Sequence, residues 1–193
     1  MPPMPAISIL VAGVGNLFLR DDGWGCEVVR RLAAEPLPEG VRAVDFGVGG
    51  VHLAYELLEG VDLLVLVDVI GRGVAPGTVS LVEVDPDALP GAQIDSHAMD
   101  PGAVLANVRA LGGIPPPTLL VGCEPADLGE GIGLSPATEA AVEPALRMLR
   151  DVLWRPSVVG GTDVTVDVGG ADVTADVGGT DVTADAINDP EMT

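Results

Sequence analysis

The run Val61 to Ile70, whose centre Leu63-Leu64-Val65-Leu66-Val67 is apolar without a break, limits the fold more than any other stretch of the chain. Successive side chains of a strand point to opposite faces, so a strand with one wet face alternates and a strand without alternation is covered on both. Such a strand belongs inside a parallel sheet with helices above and below, and this run is predicted to lie mid-sheet. The 193 residues suffice for one core of this kind and are short for two. Hydrophobic residues make up 48% of the chain but aromatics only 3%, so the core is built from small aliphatic side chains.

The neighbouring segments alternate in the same sense. Ile7 to Ala12 is a short apolar strand leading into glycines, and Cys26 to Ala34 carries Val28, Val29, Leu32 and Ala33 at helical spacing. Val41 to Phe46 is a second strand, followed by a turn at Gly47 to Gly50 and a helix from Leu53 to Leu58. Thr78 to Val84 alternates and reads as a strand nearer an edge, with an antiparallel direction open. Asp100 as cap and Pro101 in the first turn open a helix to Leu111, and Thr118 to Gly122 is the last buried strand. Ser135-Pro136-Ala137-Thr138-Glu139 reads as a capping box that starts a helix running to Trp154. The predicted architecture is α/β: a three-layer sandwich, with a doubly wound, mostly parallel sheet of about five strands and helices on both faces.

That domain is predicted to span residues 1–155. From residue 156 the composition changes, and three nine-residue units begin at Gly160, Gly169 and Gly178. The period is that of the calcium-binding nonapeptide β-roll, but Asp stands where that motif wants its third Gly and Thr where it wants Asp, so its ligand geometry is not kept. A few Val per unit cannot offset the ordering cost, and residues 156–193 are predicted to be a disordered acidic tail.

The formal charge of -20, with nine Arg and no Lys, excludes nucleic acid as a partner, because no cluster of cations can displace counterions from phosphates. The first 155 residues alone hold 21 acids against 9 Arg, a net of -12. That surface is either simply solvated or attractive to a basic partner or a cation. Cys26 and Cys123 have neither disulfide-framework nor zinc spacing and read as buried thiols. The N-terminal Met-Pro-Pro-Met-Pro-Ala lacks the basic start and cleavage site of a signal peptide, and no apolar run approaches the ~20 residues that span a bilayer. The expectation is a cytoplasmic protein without membrane insertion.

Ligands of open α/β sheets settle outside the carboxyl ends of the strands, where strand order reverses. The candidates there are Asp21 and Asp22 after the first strand, Asp45 ending the second, Asp68 ending the third, and His97 in the loop before the third helix. Two carboxylates and an imidazole can hold a divalent first-row metal while leaving positions open. Each also has a plainer reading. Asp22 could cap the helix behind Gly23, Asp68 could satisfy loop amides, and His97 could be a surface residue. Gly13-Val14-Gly15-Asn16-Leu17-Phe18 puts Phe18 where the third glycine of a dinucleotide fingerprint belongs, so a nucleotide site is weakly supported.

The order of the pieces carries more than any one of them. Gly13-Val14-Gly15-Asn16 is followed by Asp21-Asp22-Gly23-Trp24-Gly25, then Asp45-Phe46-Gly47-Val48-Gly49-Gly50, Val67-Asp68, Asp95-Ser96-His97, Gly122-Cys123-Glu124-Pro125 and Gly133-Leu134-Ser135-Pro136. Over residues 7–153 this series resembles the hydrogenase maturation endopeptidases. The resemblance implies an enzyme that removes a C-terminal extension from the precursor of a nickel-iron hydrogenase large subunit after nickel insertion. It also implies Asp22, Asp68 and His97 as catalytic and metal-binding residues. The metal is then nickel carried by the substrate, with other divalent metals able to occupy the site. Many members of the family have Glu where this chain has Asp22, a side chain one methylene shorter with the same ligand type. Asp21 and Asp45 are left with supporting roles or that of a general base. The alternative from another class is a non-catalytic metal-sensing assembly partner of a hydrogenase subunit.

Overall fold

The computed structural model describes residues 7–84 and 101–154. Its five strands are β1 (Ile9–Val14), β2 (Val41–Gly47), β3 (Leu63–Val69), β4 (Val79–Val84) and β5 (Thr118–Cys123), arranged in the order β2-β1-β3-β5-β4. The uninterrupted apolar run is the central strand, parallel to β1 on one side and β5 on the other. Only the last residue of β3, Val69, is not fully buried. Alternating β4 is antiparallel to β5 and closes one edge.

Four helices cover the sheet: α1 (Trp24–Leu32), α2 (Gly50–Leu58), α3 (Pro101–Ala110) and α4 (Pro136–Trp154). The strand period of two assigns side chains to the layers. Ile9 and Val11 of β1, with Leu63, Val65 and Val67 of β3, pack against α1 and α4. Leu10, Ala12, Leu64 and Leu66 point the other way, against α2 and α3. Both cores are mostly aliphatic; Trp24 is buried at the start of α1 and Cys123 at the end of β5 in one core, and Phe46 packs against the other.

Three local expectations are corrected. Helix α1 begins two residues earlier than its apolar periodicity indicates, directly after a 3-10 turn at Arg20–Gly23. Helix α2 begins at Gly50, three residues early, because the Gly49 carbonyl accepts the Leu53 N–H at 3.0 Å and a first turn forms without any side-chain cap. At α4 the residue three positions after Ser135 is Thr138, and Glu139 does not close a capping box. Glu139 instead pairs with Arg31 of α1 at 2.7 Å. The proposed cap Asp100 and the repeats of residues 156–193 lie outside the described residues. Among the described residues no helix is long and apolar enough to cross a membrane.

Strand β1 is followed by β2 on one side, and the chain then crosses back to place β3 on the other. Strand order therefore reverses between β1 and β3, and their carboxyl ends form the switch point where the ligand crevice of an open α/β sheet lies.

Candidate active site

The crevice between β1 and β3 is roofed by the first turn of α1, at a separation only glycine permits. A Cβ on Gly25 would collide with the main-chain oxygens of Val67 and Val14. Both obstacles are backbone, so no rotamer change relieves them. Gly15, at φ +134°, lies beneath the carbonyl of Asp22 with no room for a side chain. These glycines let the loop after β1 fold down onto the sheet, which accounts for them without a phosphate.

Asp22 follows β1 and Asp68 lies in β3, so the two residues belong to the strands on either side of this switch point. Asp22 sits in the 3-10 turn above β1, and its Oδ2 accepts the Asn16 N–H at 2.7 Å. It does not cap α1: the N-cap is Gly23, without a side-chain bond. Asp68 lies one residue beyond the Val67 carbonyl that touches Gly25 and is buried. Its Oδ1 accepts the N–H of Val69 at 2.7 Å, so part of its capacity serves local backbone, as the plainer reading has it. His97 lies outside the described residues. Among the described residues, no three His, Cys, Asp or Glu side chains gather as a metal set.

Asp45 lies two residues before the end of β2, where its Oδ1 accepts the Gly47 N–H at 2.9 Å and stabilises the turn that Gly47 makes at φ +52°. Below it, buried Cys26 donates its S–H to the Gly15 carbonyl at 3.6 Å. Burial first, then the hydrogen bond to Asp45 and the charges of Asp45 and Asp68, push this thiol up to about 12. Cys123 is likewise pushed up to about 12 by burial and the charges of Asp21 and Glu124. At neutral pH both are neutral thiols, and thiolate is the nucleophilic form. The expectation of buried, unreactive cysteines holds, and cysteine-protease chemistry has no candidate here.

Asp21 contrasts sharply with its neighbour. It is fully buried, and its carboxylate receives the N–H groups of Ala126 (2.8 Å), Asp127 (2.9 Å) and Ser135 (2.6 Å). It also receives the hydroxyls of Ser135 (3.0 Å) and Thr138 (2.6 Å). Burial raises the carboxyl's pKa, but the bonds from Thr138, Ser135, Asp127 and Ala126 outweigh it and bring it down to about 2. Asp21 therefore stays ionised and ties the turn that bears Asp22 to the loop between β5 and α4. Glu124 does the same for the β3–β4 connection, accepting the N–H groups of Arg72 (2.6 Å) and Gly73 (3.2 Å). The sequence motifs around Glu124 and Ser135 thus position the edge of the crevice. Sequence reasoning gave Glu124 no task and read Ser135 only as a cap for α4; the available signal for Glu124 was a polar residue directly after a buried strand.

Comparison with known proteins agrees with this geometry. The profile of the hydrogenase maturation protease family matches residues 26–152. The hydrogenase 2 maturation protease of Escherichia coli K12 is 34% identical over 143 residues, covering 73% of this chain and 87% of its own. The hydrogenase expression/formation protein HoxM of Azotobacter vinelandii is 34% identical over 160 residues, covering 81% of this chain and 77% of its own. The solved structure of the hydrogenase maturating endopeptidase HybD from E. coli superposes with a TM-score of 0.65 at 33% identity, over 77% of this chain and 93% of that one.

Proposed function

This chain belongs to the hydrogenase maturation protease family and is a peptide hydrolase, and we propose that its cut removes a C-terminal extension from the precursor of a nickel-iron hydrogenase large subunit, in the cytoplasm, after nickel insertion. The observation that carries this reading is the placement of Asp22 just after β1 and of Asp68 within β3, the two strands that flank one switch point. The rigid fastening of Asp21 beside them keeps the turn in place.

In this proposal nickel is part of the substrate. Asp22, Asp68 and His97 complete its coordination when the precursor docks, so the enzyme tests for a finished metal site before it cuts. Two carboxylates and an imidazole suit nickel and leave positions for the substrate's own ligands. An ion held there polarises the scissile carbonyl or acidifies a bound water, the two routes by which a metal assists hydrolysis. Other divalent first-row metals fit the same donors. Both thiols are buried and neutral, so in this proposal the attacking group is water and not a cysteine.

The test mixes the purified protein with nickel-loaded large-subunit precursor and follows the precursor's mass. The expected result is a shortened precursor with wild type, none with nickel-free precursor, and rates at least about 100-fold lower for Asp22→Ala, Asp68→Ala and His97→Ala. Cleavage by all three variants at the wild-type rate would falsify the site.

A further inference from the structure

Two loops at the carboxyl edge of the sheet are joined along their backbones. The Gly131 N–H donates to the Phe18 carbonyl at 2.8 Å and the Arg20 N–H to the Gly131 carbonyl at 3.1 Å, and Leu19 and Gly131 form an isolated parallel bridge. Arg20 Nε lies 3.2 Å from Asp127 Oδ2, and the five bonds to Asp21 hold the same loops from below. Arg20 is held at φ 50°, in a left-handed conformation that a non-glycine residue keeps only where its surroundings fix it.

Segments fixed this firmly nevertheless present apolar side chains to solvent: Leu17 is 53% exposed, Phe18 70%, Leu128 50% and Ile132 80%. A single exposed leucine needs no explanation, but four large apolar side chains on two joined loops form a patch of the kind that marks an interaction surface. The patch starts at the residue after Asn16, whose N–H donates to Asp22 Oδ2. It is therefore continuous with the crevice, and the backbone bonds pre-order it so that little is lost when a partner settles.

Charge selects the occupant. A second copy of a chain carrying -20 would set acid against acid. Within the patch the guanidinium of Arg20 is already engaged by Asp127, while Asp22 and exposed Glu130 add negative charge. The complementary partner is apolar with basic flanks. We propose that the joined loops 16–20 and 127–132 are the docking ledge for the substrate polypeptide, receiving an extended apolar segment flanked by Arg or Lys that leads into the bond to be cut. This rests on the proteolytic reading above and adds to it where the substrate lies and by what chemistry it is held.

The experiment measures binding and cleavage separately, using the full chain and nickel-loaded large-subunit precursor encoded by the same genome. Binding is read by biolayer interferometry and cleavage by mass. Phe18→Ser/Ile132→Ser and, independently, Leu128→Ser are compared with Ile114→Ser, a 90% exposed residue ahead of β5 at the opposite edge of the sheet. The expected result is a Kd at least about tenfold higher for the double variant, a smaller increase for Leu128→Ser, and none for Ile114→Ser. KM should rise in step while kcat stays near wild type. Equal affinity of the double variant and wild type overturns the ledge while leaving the protease reading intact, and failure of wild type to bind the precursor overturns both. Binding lost in the ledge variants without cleavage by wild type supports the ledge and removes the proteolytic reading. A wild-type dimer in sedimentation that the double variant dissolves assigns the patch to a second copy and overturns the proposal.

Discussion

Asp21 and Asp22 are consecutive residues with the same carboxylate, and the fold uses them in opposite ways. Asp21 is sealed in the interior with five donors. Asp22 is half-buried and, among the described residues, accepts one amide. A carboxylate that takes five donors has no lone pair left for a metal or a proton in transit. Its neighbour has lone pairs to spare, but it can hold an ion in a fixed place only because the turn beneath it cannot move. In the proposed function stability and chemistry are thus divided between two adjacent side chains, and the division can be measured.

The largest expected effect is on folding. Asp21→Asn places an amide donor among N–H donors and leaves buried groups unpaired, which should cost about 3 kcal/mol in urea unfolding. Asp22→Asn, measured in the same way, should cost less than about 1 kcal/mol, because a partly exposed side chain loses one charge-assisted bond. The comparison breaks if the two losses are equal or reversed. It sharpens if the Asp22→Asn protein, folded and stable, no longer cleaves precursor.

Acid gives a second and smaller handle on Asp21. Its pKa in the folded chain is about 2 against an ordinary 3.8, so the ionised form is favoured by folding. The resulting stabilisation is fully present above about pH 4 and disappears as the pH falls through 2, and a difference of this size is worth about 2 kcal/mol. The stability gap between wild type and Asp21→Asn should therefore hold constant from pH 7 to 5 and narrow by about 2 kcal/mol toward pH 2. A gap that stays constant down to pH 2 would show that the carboxylate is not held ionised by its donors.

The same contrast explains what the sequence made legible. The central place of β3 followed from its apolar run, and the placement of Asp22 and Asp68 on either side of the switch point followed from alternating strands and helices, because topology alone brings strand ends together. The task of Asp21 was not legible, because its donors stand 105 to 117 residues away and none faces it until the sheet has formed. The glycines were seen as a motif, but their reason is the backbone of Val67 and Val14 pressed against Gly25, which is tertiary and leaves no local mark. Ser135 was read as a cap for α4. Its hydroxyl also turns to Asp21, a long-range demand that a local rule cannot register.

The smallest effect separates two ways of fastening one loop. Asp127 gives its N–H to buried Asp21 at 2.9 Å and accepts the Asp21 N–H at 3.1 Å, while its side chain meets Arg20 at the surface at 3.2 Å. Both members of that ion pair are about half exposed. Water and salt screen such a pair, and holding the long Arg20 side chain in place consumes entropy, so the pair contributes roughly 0 to 1 kcal/mol. Asp127→Asn keeps an acceptor for the Gly129 N–H and leaves both backbone bonds to Asp21 in place. It should lower stability by less than about 1 kcal/mol, and raising the salt to 1 M should erase the difference. A loss as large as that of Asp21→Asn would mean that the loop hangs on its surface charge and not on the buried carboxylate, and the assignment of the fastening role to Asp21 would then be wrong.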